Sequence, residues 1–110
     1  MDFNEYQAKA KETAVYPRVQ HMPFAYPTVG LSGEVGEVSE KIKKLWRDKG
    51  SVVTDEFLED IKKELGDVLW YLSALSSDLG LSLNDVAETN IAKLKRRVEN
   101  GTVNGNGDNR

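Results

Sequence analysis

Two long stretches of the chain place apolar residues at alternating intervals of three and four, and this spacing constrains the fold more than any other feature. Leu31, Val35, Val38, Ile42 and Leu45 recur until Lys49-Gly50; Leu58, Ile61, Leu65, Val68, Leu72, Leu75 and Leu79 recur until Gly80. Residues three and four apart share one side of a helix, so each stretch predicts an amphipathic helix with a seam that must be covered. Gly50 and Gly80 supply the stops. Thr54 is placed to cap the second of these helices, with Asp55 and Glu56 favourable in its first turn. A connection of about five residues makes the two helices antiparallel neighbours.

The remaining segments are read the same way. Residues 3–15 predict a helix capped by Asp2 or Asn4 and stopped by Pro17. Residues 16–29 carry Pro17, Pro23 and Pro27 among Tyr16, Phe24 and Tyr26, which predicts a packed loop. Ser82 to Asp85 has the capping-box pattern and opens a helix through Val86, Asn90, Ile91, Leu94 and Val98. No segment alternates with period two long enough to form a strand. The expected fold is all-α: a small antiparallel bundle of four main helices in one domain, residues 1–99, followed by a Gly/Asn-rich tail, residues 100–110. At 110 residues such a bundle gains from completion by oligomerisation.

Composition narrows the function classes. The net charge of −3 argues against a surface built for nucleic acid, so the KLKRR cluster at 93–97 is weak support for that partner. The absence of cysteine removes disulfides, thiolate metal sites and a thiol nucleophile. No apolar run approaches a membrane span and the first residues lack the build of a signal peptide, so a soluble, cytoplasmic protein without a membrane partner is expected.

The acidic residues have a register. With Val35, Ile42, Leu65 and Leu72 at a and Val38 and Val68 at d, Glu34 and Glu64 fall at g, Glu37 and Asp67 at c. The g flanks of an antiparallel pair face one another, so Glu34-x-x-Glu37 and Glu64-x-x-Asp67 are expected to meet. Four converging carboxylates resist ionisation unless a cation balances them. Oxygen ligands alone, with His21 outside the register, suit a hard ion, Mg²⁺ or Mn²⁺ as a substitute. A ferritin-like di-iron site would need Glu-x-x-His motifs, which are absent. The bland alternative is a solvated acidic flank that docks a basic partner, making the chain a non-catalytic helical interaction module. Glu40 sits about 120° around the helix from Glu34 and reads as a surface charge. Gly33 and Gly36, costly in a helix, would leave room for a neighbouring backbone or a ligand. On the last helix Asn90, Lys93 and Arg97 share a stripe that could meet phosphates, or simply suit a helix C-terminus. Trp46, Trp70 and Tyr71 read first as core; Phe24 and Tyr26 are better placed for exposure beside a ligand.

The segments GLSGEVGEVSEKIKKLWRDKG, ELGDVLWYLSALSSDLGLSL and NIAKLKRR resemble the MazG-like branch of the all-α nucleoside triphosphate pyrophosphohydrolases. The signature of that family, E-x-x-E and then E-x-x-D on the following helix, is matched by Glu34, Glu37, Glu64 and Asp67, with 26 residues between the motifs. The resemblance runs from about Tyr26 to the closing Gly105–Arg110 segment. One departure is Gly33, where many members carry a further glutamate. The resemblance implies hydrolysis of a (deoxy)nucleoside triphosphate to the monophosphate and pyrophosphate. It also implies Mg²⁺ on the four acids, a water oriented by one of them (Glu37 and Glu64 are the catalytic candidates), and phosphate binding by Asn90 and Lys93 with Arg96 or Arg97. The stripe favours Arg97. Relatives assemble as dimers or tetramers, so a homodimer or homotetramer is implied.

Overall fold

Three of the four helix starts are fixed by a side-chain oxygen, as the sequence predicts. The computed structural model describes residues 1–110: α1 spans Phe3–Glu12, α2 Ala25–Asp48, α3 Asp55–Asp78 and α4 Leu83–Asn100, with no strands. The Asp2 carboxylate accepts from the Glu5 amide at 2.8 Å, the Thr54 hydroxyl from Phe57 at 3.1 Å and the Ser82 hydroxyl from Asp85 at 3.2 Å. Each satisfies an amide that the first turn leaves without an intrahelical partner. At the other ends, Gly80 and Gly101 adopt φ of +71° and +67°, the left-handed geometry that glycine tolerates after a last turn. No helix is long and apolar enough to cross a membrane.

Two boundaries depart from expectation. Helix α1 ends at Glu12 rather than residue 15, because the Thr13 hydroxyl donates to the Ala10 carbonyl at 3.0 Å and accepts from the Trp70 indole at 2.9 Å. Helix α2 begins at Ala25, so the segment expected as loop up to residue 29 is helical over its last five residues. Pro27 lies in the first turn, where an amide lacks an intrahelical partner in any case, and its ring is fully buried. A proline that reads as a breaker in sequence is here a helix starter.

Helices α2 and α3 form the antiparallel spine. Along α2 the half-buried residues that face α3 include Leu31, Glu34, Val38, Lys41 and Leu45; along α3 they include Phe57, Ile61, Glu64, Val68, Leu72 and Leu75. The other half of the predicted seam stays outside: Val35, Ile42, Leu58 and Leu65 are each about half exposed. The seam therefore splits, with one line meeting the neighbouring helix and the other facing outward. Helix α4 packs on α1 and α3 and makes no contact with α2. Its residues Ile91, Leu94 and Val98 are exposed.

Gln7 ties three elements together. Its amide nitrogen donates to Ser77 Oγ of α3 at 3.0 Å and to the Leu81 carbonyl at 2.9 Å, while its oxygen accepts from the Leu83 amide at 2.8 Å. Leu83, the first residue of α4, is buried. The tail does not hang free: Thr102 N–H bonds back to the Arg97 carbonyl at 2.8 Å, and the Arg110 guanidinium donates to the Thr102, Val103 and Gly107 carbonyls. Replacing Gln7 with Ala strands the Leu83 amide away from water; destabilisation of about 1–3 kcal/mol is expected in urea denaturation.

Candidate metal centre

Glu34 enters the α2–α3 interface because it follows Leu31 by three residues and precedes Val38 by four. Glu64 does the same on α3, between Ile61 and Val68. One turn on, Asp67 projects from the rim. One oxygen from each of Glu34, Glu64 and Asp67 lies within 4.8 Å of the others, close enough for one ion to touch all three. Glu34 and Glu64 are half-buried and Asp67 exposed. Burial first, then the charges of Asp67, Glu64 and Glu37, holds the Glu34 carboxyl above the ordinary carboxylate range. An all-oxygen donor set with converging negative charge fits a hard divalent cation. Glu37 is exposed and stands outside the converging three, although its charge is felt by Glu34.

The surroundings differ on the two sides. Toward the start of α2, Tyr71 lies across Gly30, where a Cβ would run into the Tyr71 ring. The Tyr71 hydroxyl is pushed up by burial, then by Tyr26, Glu34 and Asp67. Tyr16 stacks on Tyr26 with centroids 5.0 Å apart and planes 3° from parallel. Trp70 meets Tyr16 and Tyr71 edge-on. Tyr16 donates to Asp78 at 2.6 Å, and burial with that bond pushes its hydroxyl up to about 12. Toward the α2–α3 loop, the Lys41 ammonium stands 3.8 Å from a Glu64 oxygen. A Cβ on Gly33, Gly36 or Gly66 would meet nothing within 4 Å. The space beside the acids is open, and no neighbouring backbone of this chain fills it.

The α4 stripe is not brought to the acids within one chain. Asn90 and Lys93 line a shallow cleft of about 410 Å³ with Ser82, Asp85 and Thr89, and none of the four motif acids borders it. Arg97 is buried under the tail. Its Nη2 donates to the Gly107 and Asp108 carbonyls and to Asp108 Oδ1, at 3.1–3.3 Å. Lys93 donates to the same Asp108 oxygen at 3.2 Å. Lys93 first, then Arg97, holds the Asp108 carboxyl below its ordinary range. Glu40 is bound to Lys43 at 2.8 Å and lies near Lys44, a surface charge as its position predicts.

Sequence reasoning read Tyr71 as core and passed over Gly30, Lys41, Asp108 and the pairing of Tyr26 with Tyr71. Three of these had a signal in the spacing. Tyr71 follows Asp67 by four residues, Gly30 precedes Glu34 by four, and Lys41 follows Glu34 by seven, so each shares a face with a motif acid. Asp108 had none, because its position depends on how the tail turns after Gly101.

The model of the MazG nucleotide pyrophosphohydrolase domain matches residues 28–102. The Gene 37 protein of Mycobacterium phage L5 is 41% identical over 114 residues, covering the whole of both chains. No solved structure matches. The chain belongs to the MazG family.

The crowding of acids generates an expectation about stability. Neighbouring like charges cost about 0.2–0.5 kcal/mol per pair on a helix. Because the Glu34 carboxyl is raised in the folded state, its penalty is present at neutral pH and is relieved as pH falls through the raised value. Glu34→Gln is expected to raise the melting temperature of the metal-free protein at pH 7 and to flatten its pH dependence. Mg²⁺ is expected to raise the melting temperature of the wild-type chain and not that of Glu34→Gln, read by thermal scans with and without the ion.

Proposed function

We propose that the protein hydrolyses (deoxy)nucleoside triphosphates to the monophosphate and pyrophosphate, with Mg²⁺, or Mn²⁺ in its place, held by Glu34, Glu64 and Asp67 and by Glu37 on its outer side. The observation that carries this reading is the meeting of three motif acids from two helices in a chain of the MazG family. A bound divalent cation would supply charge neutralisation at the phosphate oxygens and activation of water. The acids aim oxygens at one point, and α2 and α3 hold them there before substrate arrives. Glu37, outside the converging three and at the outer side of the ion in this reading, also orients the attacking water and accepts its proton. The water oxygen bonds to phosphorus as the bond to the pyrophosphate oxygen breaks. Open space beside Gly33, Gly36 and Gly66 gives the phosphate chain room to approach.

Asn90, Lys93 and Arg97 are the expected phosphate ligands, yet α4 stands apart from α2 within one chain. We assign Asn90 and Lys93 to direct contact. Arg97, spent on the tail, acts by holding Asp108 against Lys93. An α4 from a second copy of the chain would bring such a stripe to the acids, and three observations support a homo-oligomer. The radius of gyration is 16.9 Å, against about 13 Å for a compact domain of this length. Only seven of the 110 residues are buried, and three of those are polar or charged. The outward line of Val35, Ile42, Leu58 and Leu65 is a helix-pair face without a partner.

Purified protein with Mg²⁺ is expected to release pyrophosphate from at least one triphosphate in a panel of common, deoxy and modified nucleotides. Glu64→Gln should cut that rate by about 100-fold or more while leaving the helical circular dichroism signal intact. No release from any member of the panel would overturn the reaction, and calorimetry without Mg²⁺ or Mn²⁺ binding would favour the docking-module reading. Light scattering after size exclusion should give a dimer or tetramer, with Leu65→Glu shifting it toward the monomer. A monomeric wild-type chain at micromolar concentration would overturn the assembly.

A further inference from the structure

The ammonium of Lys41 is the one cation in contact with the converging acids, and nothing in the E-x-x-E/E-x-x-D pattern calls for it. Lys41 sits on the Glu34 line of α2, two turns nearer the loop, with its side chain about one-third exposed. It donates no hydrogen bond within the chain. Its ion pair is Glu64 at 3.8 Å, too long for a hydrogen bond. A lysine in this state is held by charge alone and is free to turn about its four-carbon stem.

The cleft that begins at Lys41 runs toward the α2–α3 loop and encloses about 380 Å³. Its α2 side carries Lys41, Lys44 and Lys49, and its α3 side carries Glu56 and Asp60. Lys44 lies against Glu40, and the two acids oppose the remaining lysines, so the far part of the cleft is close to balanced in charge. Lys41 differs because of what happens beside it. A divalent cation held by Glu64 would set a positive centre beside Lys41 and deprive it of its anion. An ammonium half out of water then needs another negative group. The opposite side of the acids is walled by Tyr71 over Gly30, with Tyr26 beside it, and the cation of that aromatic group, Arg18, lies over Tyr16 and is paired with Asp78.

We propose that Lys41 is the ligand of the terminal phosphates: it leaves Glu64 when the cation binds and takes the part of the phosphate chain that departs as pyrophosphate. The substrate then lies along the α2–α3 seam with its terminal phosphates toward the loop. This rests on the reaction proposed above and adds the direction of the substrate and a residue outside the four-acid motif.

The test separates the two halves of the product. Calorimetry in Mg²⁺ is carried out with inorganic pyrophosphate and, separately, with a deoxynucleoside 5′-monophosphate, against wild type, Lys41→Gln and Lys41→Arg. Both substitutes are good helix formers, so α2 is retained. The expected result is about tenfold weaker pyrophosphate binding in Lys41→Gln, restoration in Lys41→Arg, and monophosphate affinity unchanged within about twofold. A lysine that only braces Glu64 would move both ligands together through the cation. Equal changes in both, or no change in pyrophosphate binding, overturn the assignment while wild-type turnover leaves the reaction standing. Absence of wild-type turnover on the whole triphosphate panel brings down the reaction and the Lys41 role with it.

Discussion

Helix α2 meets α3 along a line that alternates apolar contact with charge: Leu31, Glu34, Val38, Lys41, Leu45. Most of what distinguishes this molecule from a plain helical hairpin depends on that line. Leu31, Val38 and Leu45 give the contact that holds the pair, and each interval between them sets a charged group against the opposite helix. A fully apolar seam would bury more surface and be more stable. Here two positions on the packing side are given up to an acid and a base. The apolar area that remains is small, which is why the chain has so little interior and so much apolar surface turned outward.

That outward surface links stability to chemistry. Two long helices with two apolar lines each cannot satisfy both lines in one pair. The inner lines close on each other, and Val35, Ile42, Leu58 and Leu65 are left for another body. Helix α4 tells the same story, since Ile91, Leu94 and Val98 are uncovered while its polar stripe stands away from the acids. Covering the apolar lines and supplying the site with cations are two needs that one neighbouring copy could meet together.

Much of this was legible in the residues, and the misses have physical causes. The helix starts at Thr54 and Ser82 and the stops at Gly50 and Gly80 rest on local chemistry, which a sequence carries in full. The pairing of the two acidic motifs needed only spacing and a short loop. The start of α2 was misplaced because proline reads as a breaker, whereas in a first turn its missing amide costs nothing. The seam was read as one line because periodicity says which residues share a side, not how many neighbours that side has. Glu37 followed the motif but not the geometry: it lies one turn along α2 and outside the face that Glu34 shares with α3. Arg97 shares a stripe with Asn90 and Lys93, but the fold of the tail, invisible to helical spacing, claims it first.

The contact of Gly30 with Tyr71 gains meaning when set against the loop at the other end of the pair. The short loop joins α2 to α3 covalently beyond Leu45, and the Tyr71 ring seated on the bare backbone of Gly30 clamps them at the far end. The acids lie between two fixed ends. Helices tethered at one end could relieve the repulsion of Glu34, Glu64 and Asp67 by splaying, but these are held at both. The electrostatic tension is built in during folding and has one outlet, the arrival of positive charge. The affinity of a cation bound there would thus contain a contribution from one turn away, made by a glycine that lets an aromatic ring act as the second rivet.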